Sequence, residues 1–254
     1  MELKIVFMQI NLLAQDIADV ANTLRQHGWA EAIAGNFSLL ADELNLSELS
    51  LFKTKNELKL DIYYPALSGK HILVSASGSR MRDIANNPIP HIGVLKISDS
   101  GHDCEIFTFE DKILADFVPT SELASHLAIL NEIILKDMPE KCILHCHATE
   151  LIALSHHPVF GESNKMSDLL YKIHPEMGMF LKKGISVIPF REPGSSALAN
   201  DTAAIISCSD IVIWEKHGVT AIGKTLSEAL DKIEIAAKAA AIYFLCKSAG
   251  FGPV

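Results

Sequence analysis

The segment 142–154, CILHCHATELIAL, combines an apolar run, two closely spaced histidines and the beginning of a second periodic pattern. Side chains alternate between the two faces of a strand, so His145 and His147 are predicted to point to one side and Cys146 to the other. The apolar run predicts a buried strand, and ATELIALSHH, which precedes Pro158, predicts a helix. The segment therefore predicts a strand that carries two imidazoles to one edge of a sheet, with Cys146 as a small core residue.

A second apolar run ends in a histidine in the same way. In DIVIWEKHGVTAIG, 210–223, His217 follows the apolar residues and precedes Gly218. Three neutral imidazoles from two strand ends can bind a borderline cation such as Zn²⁺ and leave one coordination position open for substrate. Buried histidines that only form hydrogen bonds would produce the same pattern. From spacing alone, a metal site is a hypothesis.

One carboxylate and two small-residue segments are further candidates for chemistry. Glu122, in VPTSEL, falls in the first turn of a predicted helix, where it could interact with the helix dipole or act as a proton-transfer group. The segments AGNFS, 34–38, and SASGS, 75–79, could place backbone N–H groups and hydroxyls around an anion. Such segments also commonly mark turns, so the sequence leaves both interpretations open.

Predicted strands and helices alternate along the whole chain without a long linker or an internal repeat. Strands are predicted at 58–64, 71–76, 91–98 and 104–110, and the last two form a hairpin-like pair. The helix after Pro119 is predicted to begin with Thr120 or Ser121 as its cap, and the final helix with a capping box from Thr225 to Glu228. We therefore predict one α/β domain over 1–254 with a central, largely antiparallel sheet flanked by helices, and 1–30 as an N-terminal helical segment packed on it.

Composition and charge restrict the class of partner. The net charge of −9 and the pI near 5.6 argue against a nucleic-acid or anionic-membrane partner, although a local site can still bind a small anion. The first residues lack the pattern of a signal peptide, and no apolar stretch reaches the length of a membrane span. Five cysteines, an odd number, do not indicate a disulfide framework. A cytoplasmic location is the expectation.

Taken together, VPTSELASH, HCHATELIAL and WEKHGVTAIGKTLSEALDKIEIAAKAA resemble the class II aldolase/adducin family. The likeness runs from GWAEAIAGNFSL to the final helix, and it is greatest for the members that cleave L-rhamnulose 1-phosphate. It implies a class II aldolase-like fold and a zinc-dependent lyase that releases dihydroxyacetone phosphate and L-lactaldehyde by way of an enediolate. It also implies one Zn²⁺ per subunit and a homotetramer with sites near the subunit interfaces.

The resemblance also implies roles for individual residues. Glu122 would move the proton on the carbon next to the carbonyl, and Glu176, in IHPEMGMF, would act as a second catalytic residue in a neighbouring subunit's site. The remaining implied residues are the zinc ligands His145, His147 and His217 and the substrate-binding residues Gly35, Asn36, Ser77, Gly78 and Ser121.

Two departures from the family pattern affect the substrate pocket. Ile33 stands where the family aldolases have an asparagine, and Ala76 replaces a glycine in the phosphate loop. Ile33 bears on the exact substrate more than on the type of reaction. Three alternatives to this aldolase stay open. The chain could be a related fuculose- or ribulose-phosphate aldolase or a 4-epimerase, a non-catalytic module like the adducin head, or a zinc hydrolase that uses the H-x-H pair.

Overall fold

A computed structural model describes residues 2–42, 52–109, 117–157 and 165–252. In this part of the chain one sheet contains nine strands, in the spatial order β2-β5-β4-β3-β1-β6-β9-β8-β7. All neighbours are antiparallel except the parallel pair β7 and β8, so the predicted α/β architecture with a largely antiparallel sheet is confirmed. The strands are β1 Asn36–Leu40, β2 Phe52–Lys59, β3 His71–Ser75, β4 Ile92–Ile97, β5 Asp103–Thr108, β6 Cys142–Cys146, β7 Ile185–Ile188, β8 Ile211–Trp214 and β9 Gly218–Gly223.

Helices cover both faces of the sheet. The helices are α1 Glu2–His27, α2 Met81–Asn86, α3 Leu123–Leu135, α4 Thr149–Ser155, α5 Lys165–Ile173, α6 Glu176–Phe180, α7 Ser196–Ile206 and α8 Leu226–Ser248. One buried apolar cluster lies between the sheet and the helices α1 and α8, and a second lies between the sheet and the helices α3 and α7. Strand β6 divides its side chains between the clusters, because Leu144 and Cys146 belong to the first and Ile143 to the second. His145 shares the face of Ile143, which is the face that carries α3.

The N-terminal helix is attached to the core through one side. Ile17, Val20, Ala21 and Leu24 are buried in the same apolar cluster as the inner face of α8. This spacing places them on one helical face. Helix α1 ends at His27 and is followed by Gly28, whose φ of +72° is a left-handed conformation that glycine adopts without a steric penalty.

Two local predictions were wrong. The strand predicted over 58–64 ends at Lys59, because the chain then turns into a 3-10 turn at Pro65–Leu67. Tyr64 is buried there, and its hydroxyl donates to the carbonyl oxygen of Ala124 at the start of α3, so packing against that helix replaces further strand pairing.

The predicted cap of α3 was the second error. Glu122 occupies the N-cap position and its side chain does not cap the helix. The capping box of α8 is confirmed, since the Thr225 hydroxyl accepts from the backbone N–H of Glu228. Among the described residues, no helix has both the length and the apolar character to cross a membrane.

Candidate active site and metal centre

The structure brings the three predicted metal-binding histidines together. His145 lies at the end of β6, His147 directly follows that strand, and His217 lies in the turn between β8 and β9. Each ring offers one nitrogen, and these three nitrogens lie within 4.8 Å of one another. The close approach depends on Gly218, because a Cβ atom there would lie 2.7 Å from the ring of His145 and 3.0 Å from that of His147.

Neighbouring groups fix the orientation of two of the rings. The Nδ1 atom of His145 is 3.1 Å from the hydroxyl of Thr220, and the Nδ1 atom of His147 is 2.7 Å from a carboxylate oxygen of Glu31. These contacts leave the Nε2 atoms of both rings available to a metal. The Nδ1 atom of His217 is buried and has no hydrogen-bond partner among the described residues. A buried polar atom without a partner is unfavourable in an apoprotein and is consistent with a site built for a cation.

The electrostatic environment favours neutral imidazoles. Burial lowers the pKa of His145 well below its ordinary value, and the nearby rings of His217 and His147 lower it further. Burial, followed by the neighbouring His147, lowers the pKa of His217 to about 4. A metal-binding imidazole has to be deprotonated, so both rings are already in the ligand form at neutral pH. Three neutral nitrogen donors suit Zn²⁺ and leave it an open position.

Glu122 lies beside the histidines and is nearly inaccessible to solvent, with 4% exposure. One carboxylate oxygen accepts from the backbone N–H of Gly194 at 3.0 Å, and the other lies 3.8 Å from Nε2 of His217. Burial raises the pKa of Glu122, and the hydrogen bond from Gly194 opposes this effect only in part. Gly194 has a φ of +73°, and a Cβ atom there would lie 2.7 Å from the carbonyl oxygen of Ser121. Position 194 therefore requires glycine. The raised pKa of the Glu122 carboxyl group suits proton transfer.

The histidines and Glu122 open into a small cavity of about 160 Å³. Gly35 and Gly78 have φ angles of +85° and +74°, conformations that turn the backbone tightly at the cavity wall. The wall also includes Ile33, whose apolar side chain is 56% exposed where the resemblance led us to expect an amide. All five predicted substrate-binding residues line this cavity, namely Gly35, Asn36, Ser77, Gly78 and Ser121.

The structure does not place Glu176 in this cavity. Glu176 is partly buried at the start of α6, and it is absent from the cavity wall that the described residues form. Its assignment to a neighbouring subunit's site stays a prediction. No sequence pattern indicated four further residues of the site, because their roles depend on contacts between distant parts of the chain: Glu31, Thr220, Gly194 and His126.

Residues 15–244 match the family described as the Class II Aldolase and Adducin N-terminal domain. The chain belongs to this family. A class II relative from Bacteroides thetaiotaomicron, named rhamnulose-1-phosphate aldolase, is 35% identical over 240 residues, which cover 93% of this chain and 87% of the relative. A protein of the same name from Enterococcus faecalis is 28% identical and covers 93% of this chain and 84% of its own length.

Solved class II aldolase structures show the same fold. A sugar-phosphate aldolase from Thermotoga maritima superimposes with a TM-score of 0.81 at 32% sequence identity, over 96% of this chain and 99% of that one. An L-fuculose 1-phosphate aldolase superimposes with a TM-score of 0.61 at 18% identity over 95% of this chain and 89% of its own. The second comparison supports the class II aldolase fold alone, because the identity is low.

Proposed function

We propose that the protein is a zinc-dependent aldolase that cleaves L-rhamnulose 1-phosphate to dihydroxyacetone phosphate and L-lactaldehyde. The observation that carries the proposal is the meeting of three imidazoles and the buried carboxyl group of Glu122 at one cavity. The name of the Bacteroides thetaiotaomicron relative, at 35% identity over most of both chains, supports this choice of sugar phosphate.

His145, His147 and His217 would hold the zinc ion. When bound, zinc would supply Lewis-acid chemistry, polarising the keto group and stabilising the negative charge of the enediolate. No lysine Schiff base is then required. Three neutral ligands preserve the full positive charge of the ion, which is the property that this chemistry uses.

Glu122 would transfer the proton at the carbon that loses its bond. In cleavage, the C4 hydroxyl would pass its proton to the Glu176 carboxylate of a neighbouring subunit, the C3–C4 electron pair would pass to the enediolate, and C4 would become the aldehyde carbon of L-lactaldehyde. The Glu122 carboxyl group then donates its proton to C3, which completes dihydroxyacetone phosphate, and the carboxylate removes the same proton in the synthetic direction. The raised pKa of Glu122 supports this role, because it retains a donatable proton closer to neutral pH than an exposed glutamate does.

The substrate phosphate would bind at the glycine- and serine-lined part of the cavity. Backbone N–H groups near Gly35 and Gly78 and the hydroxyls of Ser77 and Ser121 can donate to its oxygens. Binding energy at this remote group would hold the C3–C4 bond in position for cleavage.

We also propose that 1–254 form one domain and that the protein assembles as a cytoplasmic homotetramer. Glu176 lies outside the cavity of its own subunit, as a residue that serves a neighbouring site must. In that role Glu176 would relay a proton at the departing aldehyde oxygen. Light scattering of the purified protein would give the mass of four chains, and a monomer would contradict this assignment of Glu176.

The direct test is release of dihydroxyacetone phosphate from L-rhamnulose 1-phosphate by zinc-loaded protein, measured with a coupled dehydrogenase. We expect rapid release that a chelator stops and that added zinc restores. No release from protein that contains zinc would contradict the proposed aldolase, and interconversion of ketose phosphates without cleavage would indicate an epimerase. Protein that neither binds zinc nor cleaves would support the adducin-like alternative.

Glu31 is expected to determine how tightly the metal is held. Its carboxylate is 2.7 Å from Nδ1 of His147, so it fixes the ring and makes Nε2 a better donor. Replacing Glu31 with alanine should weaken zinc binding about 10- to 100-fold, as such orienting groups do elsewhere. Competition with a chromophoric chelator measures this affinity without any assay of turnover.

The matched control is Glu150→Gln. Glu150 accepts a hydrogen bond from the indole of Trp29, which lies two residues before Glu31. In the part of the chain that the structure describes, Glu150 makes no hydrogen bond to the three histidines. Glu150→Gln should bind zinc as the native protein does. Equal zinc affinity in the native protein and in Glu31→Ala would show that the carboxylate does not orient His147.

A further inference from the structure

His126 is almost completely buried, with 1% of its surface exposed to solvent. It follows Glu122 by one turn of α3, and its backbone N–H donates to the carbonyl oxygen of Glu122. Its ring bridges two side chains on the same face of β1. Nε2 is 2.6 Å from Oδ1 of Asn36, and Nδ1 is 2.7 Å from the hydroxyl of Ser38.

The protonation state of this ring follows from its surroundings. Burial lowers the pKa of His126 to about 3, so the imidazole is neutral at physiological pH and carries one N–H. The carbonyl oxygen of the Asn36 side chain can only accept a hydrogen bond, so the proton belongs on Nε2. Nδ1 is then an acceptor, and the Ser38 hydroxyl donates to it. With the Asn36 side-chain oxygen facing Nε2, this tautomer satisfies both ring nitrogens.

We infer that His126 is a positioning residue that turns the side-chain NH2 group of Asn36, and not its carbonyl oxygen, toward the bound phosphate. The two branches of a carboxamide are fixed relative to each other, so an oxygen held by His126 leaves the nitrogen on the other side. Asn36 forms part of the cavity wall that also contains Ser77 and Gly78. A flipped amide would present a partial negative charge to an anion. His126 therefore selects the orientation that donates.

This inference rests on the proposed binding of a sugar phosphate in the cavity, and it concerns residues that the metal does not touch. Turning the amide oxygen toward the phosphate removes a hydrogen bond to a charged group. His126→Leu should therefore weaken binding of dihydroxyacetone phosphate to the zinc-loaded protein about tenfold, measured by calorimetry, with unchanged zinc content. Ser125→Ala is the matched control, because Ser125 is the adjacent buried residue of α3 and its hydroxyl has no partner among the described residues.

A double-substitution cycle tests whether His126 acts through Asn36. If it does, Asn36→Ala combined with His126→Leu should bind dihydroxyacetone phosphate no more weakly than Asn36→Ala alone. Unchanged binding in a folded His126→Leu variant, or two losses that multiply, would overturn the inference.

A spectroscopic measurement on the native protein keeps the inference testable if His126→Leu fails to fold. Long-range ¹⁵N–¹H spectra of histidine-labelled protein should show His126 with a proton on Nε2 and none on Nδ1. The His126 signal is assigned by comparing two variants, because it should be present in Ser125→Ala and absent from His126→Gln. A protonated Nδ1 would overturn the inference and leave the proposed aldolase untouched. Failure of native zinc-loaded protein to bind dihydroxyacetone phosphate would instead contradict the proposed function, while the tautomer would still report the orientation of the amide.

Discussion

Replacing His147 with alanine is expected to abolish both metal retention and turnover. The two remaining imidazoles cannot form the three-nitrogen set that holds a catalytic zinc, and the Glu31 carboxylate loses the ring that it now contacts at 2.7 Å. Because Lewis-acid stabilisation contributes several kcal/mol, turnover should fall more than about a thousandfold. Mass spectrometric analysis of metal after dialysis, together with release of dihydroxyacetone phosphate, measures both effects.

His156→Ala is the matched control for this substitution. His156 is exposed at the end of α4 and does not line the cavity, so its replacement should leave metal content and turnover unchanged. Circular dichroism would verify that His147→Ala is folded. A folded His147→Ala protein that keeps its zinc and its activity would show that these three histidines are not the catalytic metal site.

The sequence predicted the part of the site that follows from local geometry. Alternation along β6 placed His145 and His147 on one side and Cys146 in the core, and the structure agrees, with the two rings 5.4 Å apart and Cys146 fully buried. The position of His217 at the end of a second apolar run was also visible. The pairing of β6 with β9 was not, and it is this antiparallel pairing that brings the two strand ends together.

The groups that orient the side chains of the site could not be predicted from the sequence, because they come from distant parts of the chain. Glu31 reaches His147 over 116 residues, Thr220 reaches His145 over 75, and His126 reaches Asn36 over 90. Such contacts depend on which strands are neighbours in the sheet, and the periodic pattern of apolar residues does not predict the strand order. Glu122 illustrates the difference. In the sequence it resembles any glutamate at the start of a helix. In the structure, the backbone N–H of Gly194, from the loop before α7, binds its carboxylate and holds it at the cavity.

Glu122→Gln is expected to slow turnover strongly while leaving the metal bound. An amide has no proton to transfer at C3, and the loss of a general acid–base group costs about 10²- to 10⁴-fold in rate. The glutamine side-chain oxygen can still accept the N–H of Gly194, so the local structure should be retained. We expect kcat to fall by this factor, with little change in KM, because the substitution leaves the proposed phosphate-binding residues in place.

Proton exchange separates this role from metal binding. In D2O, native enzyme should exchange one carbon-bound proton of dihydroxyacetone phosphate without any aldehyde present, and Glu122→Gln should bind the compound but exchange that proton at least a hundredfold more slowly. Glu132→Gln, on the same helix but outside the cavity wall, is the matched control and should exchange at the native rate. Loss of zinc from Glu122→Gln would identify Glu122 as a metal ligand. Native exchange in a zinc-containing Glu122→Gln protein would assign the proton transfer to another group, because an amide has no proton to transfer at this carbon.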